Sequence, residues 1–176
     1  NNLSLPNQML LSDLLKYRVY CSNGIDHGTG SFVWMHPPIH RVLGWASRPS
    51  SLKLSRDVWS LNQIKGFTEK RVYVKGSPSI TDETTLNRLP NLLDATLLSK
   101  SNDKIGIIAD LCFNPLSGKI IHYLVSRSDP RIPGSSRWKL SIDRIIDQEP
   151  GLIYTDLSCL DDMPLLRSSL RQDFLQ

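Results

Sequence analysis

Four histidines, three cysteines and two serine-arginine pairs are the residues of this 176-residue chain whose chemistry bears testing first. His36 and His40 form H-x-x-x-H, a spacing that binds zinc when a helix puts both rings on one face. Pro37 and Pro38 lie between them and exclude that helix. His27 and His122 show no partner in the linear sequence. Ser101 to Lys104 reads S-x-x-K, yet it sits in a polar turn between predicted strands, whereas the serine of that motif opens a helix. Gly24, Gly28 and Gly30 of "GIDHGTG" fit neither dinucleotide nor Walker spacing. Cys21, Cys112 and Cys159 form no C-x-x-C and are expected to be reduced and mostly buried. No metal, no cofactor and no enzymatic activity are therefore expected.

The serine-arginine pairs are the stronger candidates. Ser47-Arg48 and Ser126-Arg127 each end an apolar run, and the loops that follow carry Lys53 and Arg56 in one case, Arg131 and Arg137 in the other. Trp59 and Trp138 close these loops. Forked donors beside an aromatic ring are enriched at protein interfaces and grip carboxylate or phosphate. The same residues serve a fold equally well if the arginines pair with Asp57, Asp129 or Asp143 and the tryptophans plug the interior. The serine-arginine pairs are assigned to the fold, together with Gly118. Arg131, Arg137, Trp138, Lys53, Arg56 and Trp59 are assigned to a partner surface.

The elements that must position these residues are written twice. At a separation near eighty, Ser47-Arg48 falls on Ser126-Arg127, "SLNQI" (60–64) on "SIDRI" (141–145), Val72-Tyr73 on Ile153-Tyr154, Trp34 on Phe113 and Leu14-Leu15 on Leu92-Leu93. Self-similarity of this kind marks two copies of one folding unit. The unit reads as β structure: "IGIIADLCF" and "KIIHYLVS" flank the turn "NPLSG", and further short strands surround "DQEPG". The expected fold class is all-β, as two small β-barrels in tandem, packed together because a core of seventy residues is marginal alone. The expected boundaries are an N-terminal tail 1–9, a first unit 10–76, a polar linker 77–90, a second unit 91–156 and a C-terminal helical tail 157–176. Pro164 is expected to start that helix, with Leu166, Leu170 and Phe174 as its apolar stripe.

The 40% apolar and 22% charged fractions are those of a folded chain. Residues 1–90 hold eleven Lys/Arg against six Asp/Glu, and residues 91–176 hold ten against eleven, so one half is basic and the other nearly neutral. A basic half attracts phosphates, anionic lipid or an acidic protein, or simply solubilises. With neither an eighteen-residue apolar run nor a secretory leader, the expected location is cytoplasmic, peripheral to a membrane at most.

Residues 91–156 resemble the PRC-barrel family. The likeness rests on "LLDATLLSKSNDKIGIIADLCFNPLSGKIIHYLVSR" with its Gly106-x-x-x-Asp110 strand and its turn ending at Gly118, then on "SIDRIIDQEPGLIYTD". Over residues 10–76 the likeness is looser, because "HPPIH" replaces the usual Asn-Pro-x-x-Gly turn. The whole chain resembles tandem PRC-barrel proteins of the cyanobacterial kind. PRC-barrels occur in the cytoplasmic part of the photosynthetic reaction centre H subunit and as the second domain of the ribosome maturation factor RimM. The resemblance implies a non-enzymatic scaffold or assembly factor acting on a cytoplasmic-side photosynthetic or membrane-associated complex. The alternative it implies is a ribosome maturation or RNA-processing accessory, with RNA or a ribosomal protein as partner.

Overall fold

The computed structural model describes residues 3–50, 52–127 and 136–166. The chain is mainly β, in two mixed sheets. A short strand β1 (Met9–Leu10) runs into the helix α1 (Leu11–Lys16). The first sheet then takes β2 (Arg18–Tyr20), β3 (Asp26–His36), β4 (Arg41–Ser47), β5 (Ser55–Ser60), β6 (Ile64–Phe67), β7 (Arg71–Val74) and β8 (Ser79–Asp82). After the helix α2 (Glu83–Asn87), the second sheet takes β9 (Thr96–Leu98), β10 (Lys104–Phe113), β11 (Ile120–Ser126), β12 (Arg137–Ser141), β13 (Ile145–Glu149), β14 (Leu152–Thr155) and β15 (Leu165–Leu166).

Strand order is β6-β7-β2-β3-β4-β5-β8 in one sheet and β13-β14-β9-β10-β11-β12-β15 in the other, so each strand has a counterpart in the same place. Among the described residues each sheet contains a single parallel pair, β2 with β7 and β9 with β14. The ladders agree residue by residue. Val33 opposite Trp45 corresponds to Leu111 opposite Tyr123, and the irregularity between Trp34 and Met35 recurs between Cys112 and Phe113. Another, between Ile64 and Gly66, recurs between Ile145 and Asp147.

This register corrects two details of the sequence alignment. Arg48 donates its amide to Thr29, and the residue paired at that level in the second sheet is Ser126, opposite Ile107. The two serine-arginine pairs therefore stand one residue out of step, and Phe113 corresponds to Met35 rather than to Trp34. A one-residue slip in a strand exchanges its two faces, so the buried rings of Trp45 and Tyr123 hold the register against the serine identity.

The expected barrels are not closed. Among the described residues no ladder joins β6 to β8 or β13 to β15, so both sheets are open paths. The stretch 77–90 is also more ordered than a polar linker. Ser79 to Asp82 adds to β5 as an edge strand, and Asp82 caps α2 by accepting the Thr85 amide at 2.8 Å. In the tail, Leu165 and Leu166 pair with Trp138 and Arg137 as β15, where a helix was expected to begin. Leu165 opposite a mostly buried tryptophan gains a ladder and an aromatic neighbour that a solvated first helical turn lacks. Leu170 and Phe174 lie outside the described residues.

The halves share one core. Leu11 and Leu14 of α1, Trp45 and Trp59 of the first sheet, and Leu97, Phe113, Tyr123 and Ile153 of the second belong to a single buried cluster. The N-terminal segment crosses to the second sheet: β1 pairs with β10, and Asp110 accepts the Ser12 amide at 3.1 Å and its hydroxyl at 2.5 Å. At the other crossing point the two long hairpins meet end to end. Val42 donates its amide to Gly118 at 2.7 Å, and Ile120 donates to His40 at 2.9 Å. His40 and Val42 are the counterparts of Gly118 and Ile120, so these two bonds are one contact made twice about a local two-fold axis. The bridge between Arg41 and Lys119, counterparts of each other, lies at its centre.

Both hairpin tips need a left-handed residue. Pro37 opens a 3-10 turn, Pro37–Ile39, that closes at His40 with φ 50°, while Gly118 takes φ 80°. At Gly118 the backbone of Val42 also approaches so closely that a Cβ would stand 2.1 Å from its carbonyl oxygen.

Candidate functional site

The residues expected to form a partner surface separate into buried and exposed groups. Arg56 is buried, and its guanidinium donates to the carbonyls of Leu54 and Ser55 and to Glu83 at 3.2 Å. It clamps the β5 entry to α2 and is a fold residue, which corrects its assignment to a partner surface. Trp59 is fully buried and donates Nε1 to the Ser47 hydroxyl at 3.0 Å, so it too belongs to the core. Ser47 and Ser126 are both buried. Trp138 is mostly buried, and the exposed Arg127 places its guanidinium 5.4 Å from the ring centroid. Arg137 is half-buried in β12 opposite Leu166. Arg131 lies outside the described residues.

Lys53 remains on the surface, between two leucines that are exposed to an unusual degree. Leu52 is 91% exposed and Leu54 85%. The loop leads into β5, whose outer neighbour β8 carries Ile80 at 73% exposure and forms the end of the sheet. Two solvated leucines thus flank a lysine in the loop before β5, and a third large aliphatic side chain stands in water on the edge strand that pairs with β5. The signal in the sequence is "SSLKLS", two leucines set among serines just after Pro49.

A second surface is assembled by strand pairing alone. On the outward face of β6, β7 and β2 stand Lys65, Arg71, Tyr73, Arg18 and Tyr20, with Lys75 just beyond β7. The Arg71 guanidinium lies 4.3 Å from the Tyr20 ring centroid, the Tyr20 and Tyr73 centroids are 6.1 Å apart, and Arg18 pairs with Asp26 at 2.8 Å. Burial opposes ionisation of Asp26, but the Gly28 amide and Arg18 outweigh it and hold the carboxyl below its usual range. The alternations Arg18-Val-Tyr20 and Arg71-Val-Tyr73-Val-Lys75 are visible in the sequence. Fifty residues separate them, and only the parallel ladder makes them neighbours.

The histidines divide differently from expectation. His27 is paired after all: its Nδ1 is 2.8 Å from Asp57 Oδ2, and its ring meets Trp59 edge-on at 4.8 Å. Burial disfavours the charged ring, but Cys21 and Asp57 outweigh it and raise the pKa. His40 lies across the contact between the two sheets, its Nδ1 3.0 Å from the Tyr123 hydroxyl, and burial lowers its pKa. His122 is buried in β11, where burial and the nearby Lys139 charge push its pKa down to about 4. A histidine held neutral in the fold contributes stability above its unfolded value near 6.5, lost as pH falls through the folded value. Between pH 6.5 and 4 this ring is expected to remove about 3 kcal/mol of stability. His122→Gln is expected to flatten that part of the curve, as read from urea midpoints across the range.

Among the described residues no three His, Cys, Asp or Glu side chains converge as a metal site, and no helix is long and apolar enough to cross a membrane. A groove of about 660 Å³ joins the halves, with His36 and Pro37 on one wall and Gln148 and Gly151 on the other. Compared with known proteins, the chain matches no family model and no curated protein.

Proposed function

We propose that the chain is a non-catalytic adaptor built from two PRC-barrel-like units, which docks onto another protein through the free edge of its first sheet. One observation carries this reading: Leu52, Leu54 and Ile80, exposed by 91, 85 and 73%, border an edge strand with no neighbour on its outer side among the described residues. An exposed edge and large apolar side chains are features that folds ordinarily cover, and a partner segment adding to the edge covers both. The repeated strand order supports the tandem arrangement, and a shared core makes the pair one rigid platform. By its resemblance the partner belongs to a membrane-associated complex, of the photosynthetic kind, on the cytoplasmic side.

The double variant Leu54→Asp with Ile80→Asp tests this. Both side chains are solvated, so the melting temperature is expected to stay within about 2 °C of the parent. Capture of partners from native cells is expected to fall at least tenfold. Retention of the same partners by the folded variant overturns the docking edge.

A second reading, an RNA-associated accessory, is favoured by the face that sets Arg18, Lys65, Arg71 and Lys75 around Tyr20 and Tyr73. Cations interleaved with aromatic rings suit a single strand, whose bases stack while its phosphates find the charges. Binding of a short single-stranded RNA that falls steeply with added salt, and that is lost in Tyr20→Ala with Arg71→Ala, supports this reading over the first.

A further inference from the structure

We propose that the groove between the halves seats an extended peptide of a partner protein, which adds to the outer edge of β13 and carries glycine where it passes Asp147. The internal repeat identifies this occupant. In the first sheet the edge strand β6 is already covered: Ser4 donates its amide to the Phe67 carbonyl at 2.9 Å, and the Phe67 amide donates back to Ser4 at 2.8 Å. The N-terminal segment thus lies against β6 before it reaches β1. Phe67 opposite Val72 corresponds to Gln148 opposite Ile153, so the counterpart of this seat is the edge of β13 at Gln148.

The segment that would fill the second seat lies elsewhere. Val19 beside Val72 corresponds to Leu97 beside Ile153, which makes Asp82 the counterpart of Ser4. Asp82 pairs with Ser55 in the first sheet, so the second copy commits this segment to β8, and among the described residues no strand pairs with the outer edge of β13. The groove of about 660 Å³ lies there, lined by Gln148 and Gly151, by Pro37 and Pro38, and by Leu89 and Pro90 from the segment before β9. The side-chain oxygen of Gln148 is buried without a hydrogen-bond partner among the described residues. A buried acceptor left over calls for a donor, and an extended peptide brings its backbone N–H groups.

The two edges differ at one position, and that difference selects the peptide. Gly66 corresponds to Asp147 by their places opposite Tyr73 and Tyr154. Leu3 passes Gly66 so closely that a Cβ there would stand 2.6 Å from the Leu3 Cβ. Asp147 has that Cβ, so a peptide lying as the N-terminal segment does has room only for glycine at the place of Leu3. The Asp147 carboxylate also accepts the Gln148 amide at 2.8 Å, in the role that Ser4 has toward Phe67. It satisfies the bare edge until a peptide carbonyl takes its place, one acceptor for another. This seat is separate from the β5–β8 edge, and its test alters neither Leu54 nor Ile80.

The probe is the peptide of residues 1–10, NNLSLPNQML, labelled with fluorescein at its C-terminus, beside the same peptide with Leu3→Gly. By fluorescence anisotropy with the full chain, the glycine peptide is expected to bind at least about tenfold tighter than the leucine peptide. Asp147→Gly, at an exposed position, restores the edge of the first copy and is expected to admit the leucine peptide with at least about a tenfold gain, abolishing the preference. Equal affinity of the unaltered protein for the two peptides overturns the proposal without any variant, as does the absence of saturable binding of the glycine peptide up to about 1 mM. So does a folded Asp147→Gly protein that binds both peptides as the parent does, which would place them at the seat beside β6 instead.

Discussion

Gly118→Ala is expected to destabilise the protein by about 3 to 4 kcal/mol, whereas Gly151→Ala, at a nearly identical backbone angle, costs only about 1 kcal/mol. Gly118 has φ 80° and Gly151 φ 77°, so the left-handed penalty of about 1–2 kcal/mol for an L side chain applies to both. The surroundings differ. A Cβ at Gly151 meets nothing within 4 Å, while at Gly118 it would stand 2.1 Å from the Val42 carbonyl oxygen and 3.2 Å from Leu61. That oxygen is backbone and cannot swing away. Relief requires the two hairpin tips to part, at the expense of the reciprocal bonds from Val42 and Ile120, each contributing about 1 kcal/mol. At about 2–4 °C per kcal/mol for a chain of this size, the melting temperature falls by about 10 °C for Gly118→Ala and about 3 °C for Gly151→Ala. Equal shifts for the two variants would show that the contact between the hairpins contributes nothing.

Trp59→Ala is expected to be as damaging, at about 3–5 kcal/mol, because it removes a wholly buried indole from the shared core. The loss has a polar part as well. Ser47 is buried and takes the indole N–H at 3.0 Å, so truncation leaves its hydroxyl without that donor. Trp59→Phe restores most of the volume and is expected to cost about half as much. Urea unfolding separates the outcomes: a lower midpoint at unchanged slope marks a core residue. An unaltered midpoint in Trp59→Ala combined with lost partner binding would return Trp59 to the surface role that its place beside a basic loop suggests in the sequence.

Trp59 and Arg56 show where the linear reading stops. Residue type and loop position alone put both at an interface, yet Arg56 finds the carbonyls of Leu54 and Ser55 and the carboxylate of Glu83, and Trp59 finds Ser47. Glu83 lies in a stretch that reads as linker, so its pairing with Arg56 has no local signature. His27 is a similar case: thirty residues separate it from Asp57, and only the β3-β4-β5 ladder closes the gap. The exposed leucines, by contrast, were within reach of the sequence, because "SSLKLS" sets apolar residues in a run of turn formers.

What the sequence by itself determined is the predominance of strands, the turns at "HPPIH" and "NPLSG", and the doubling of one pattern through the chain. These follow from β-branched alternation, from the backbone limits of proline and glycine, and from spacing, all of which act over a few residues. Tertiary structure alone decided the exact register between the copies, the open edges in place of closed barrels, the β15 strand in place of the start of a helix, and the pairing of His27 with Asp57. Each depends on which distant strand lies alongside, and that choice is made by burying Trp45, Trp59, Phe113 and Tyr123 in one common core.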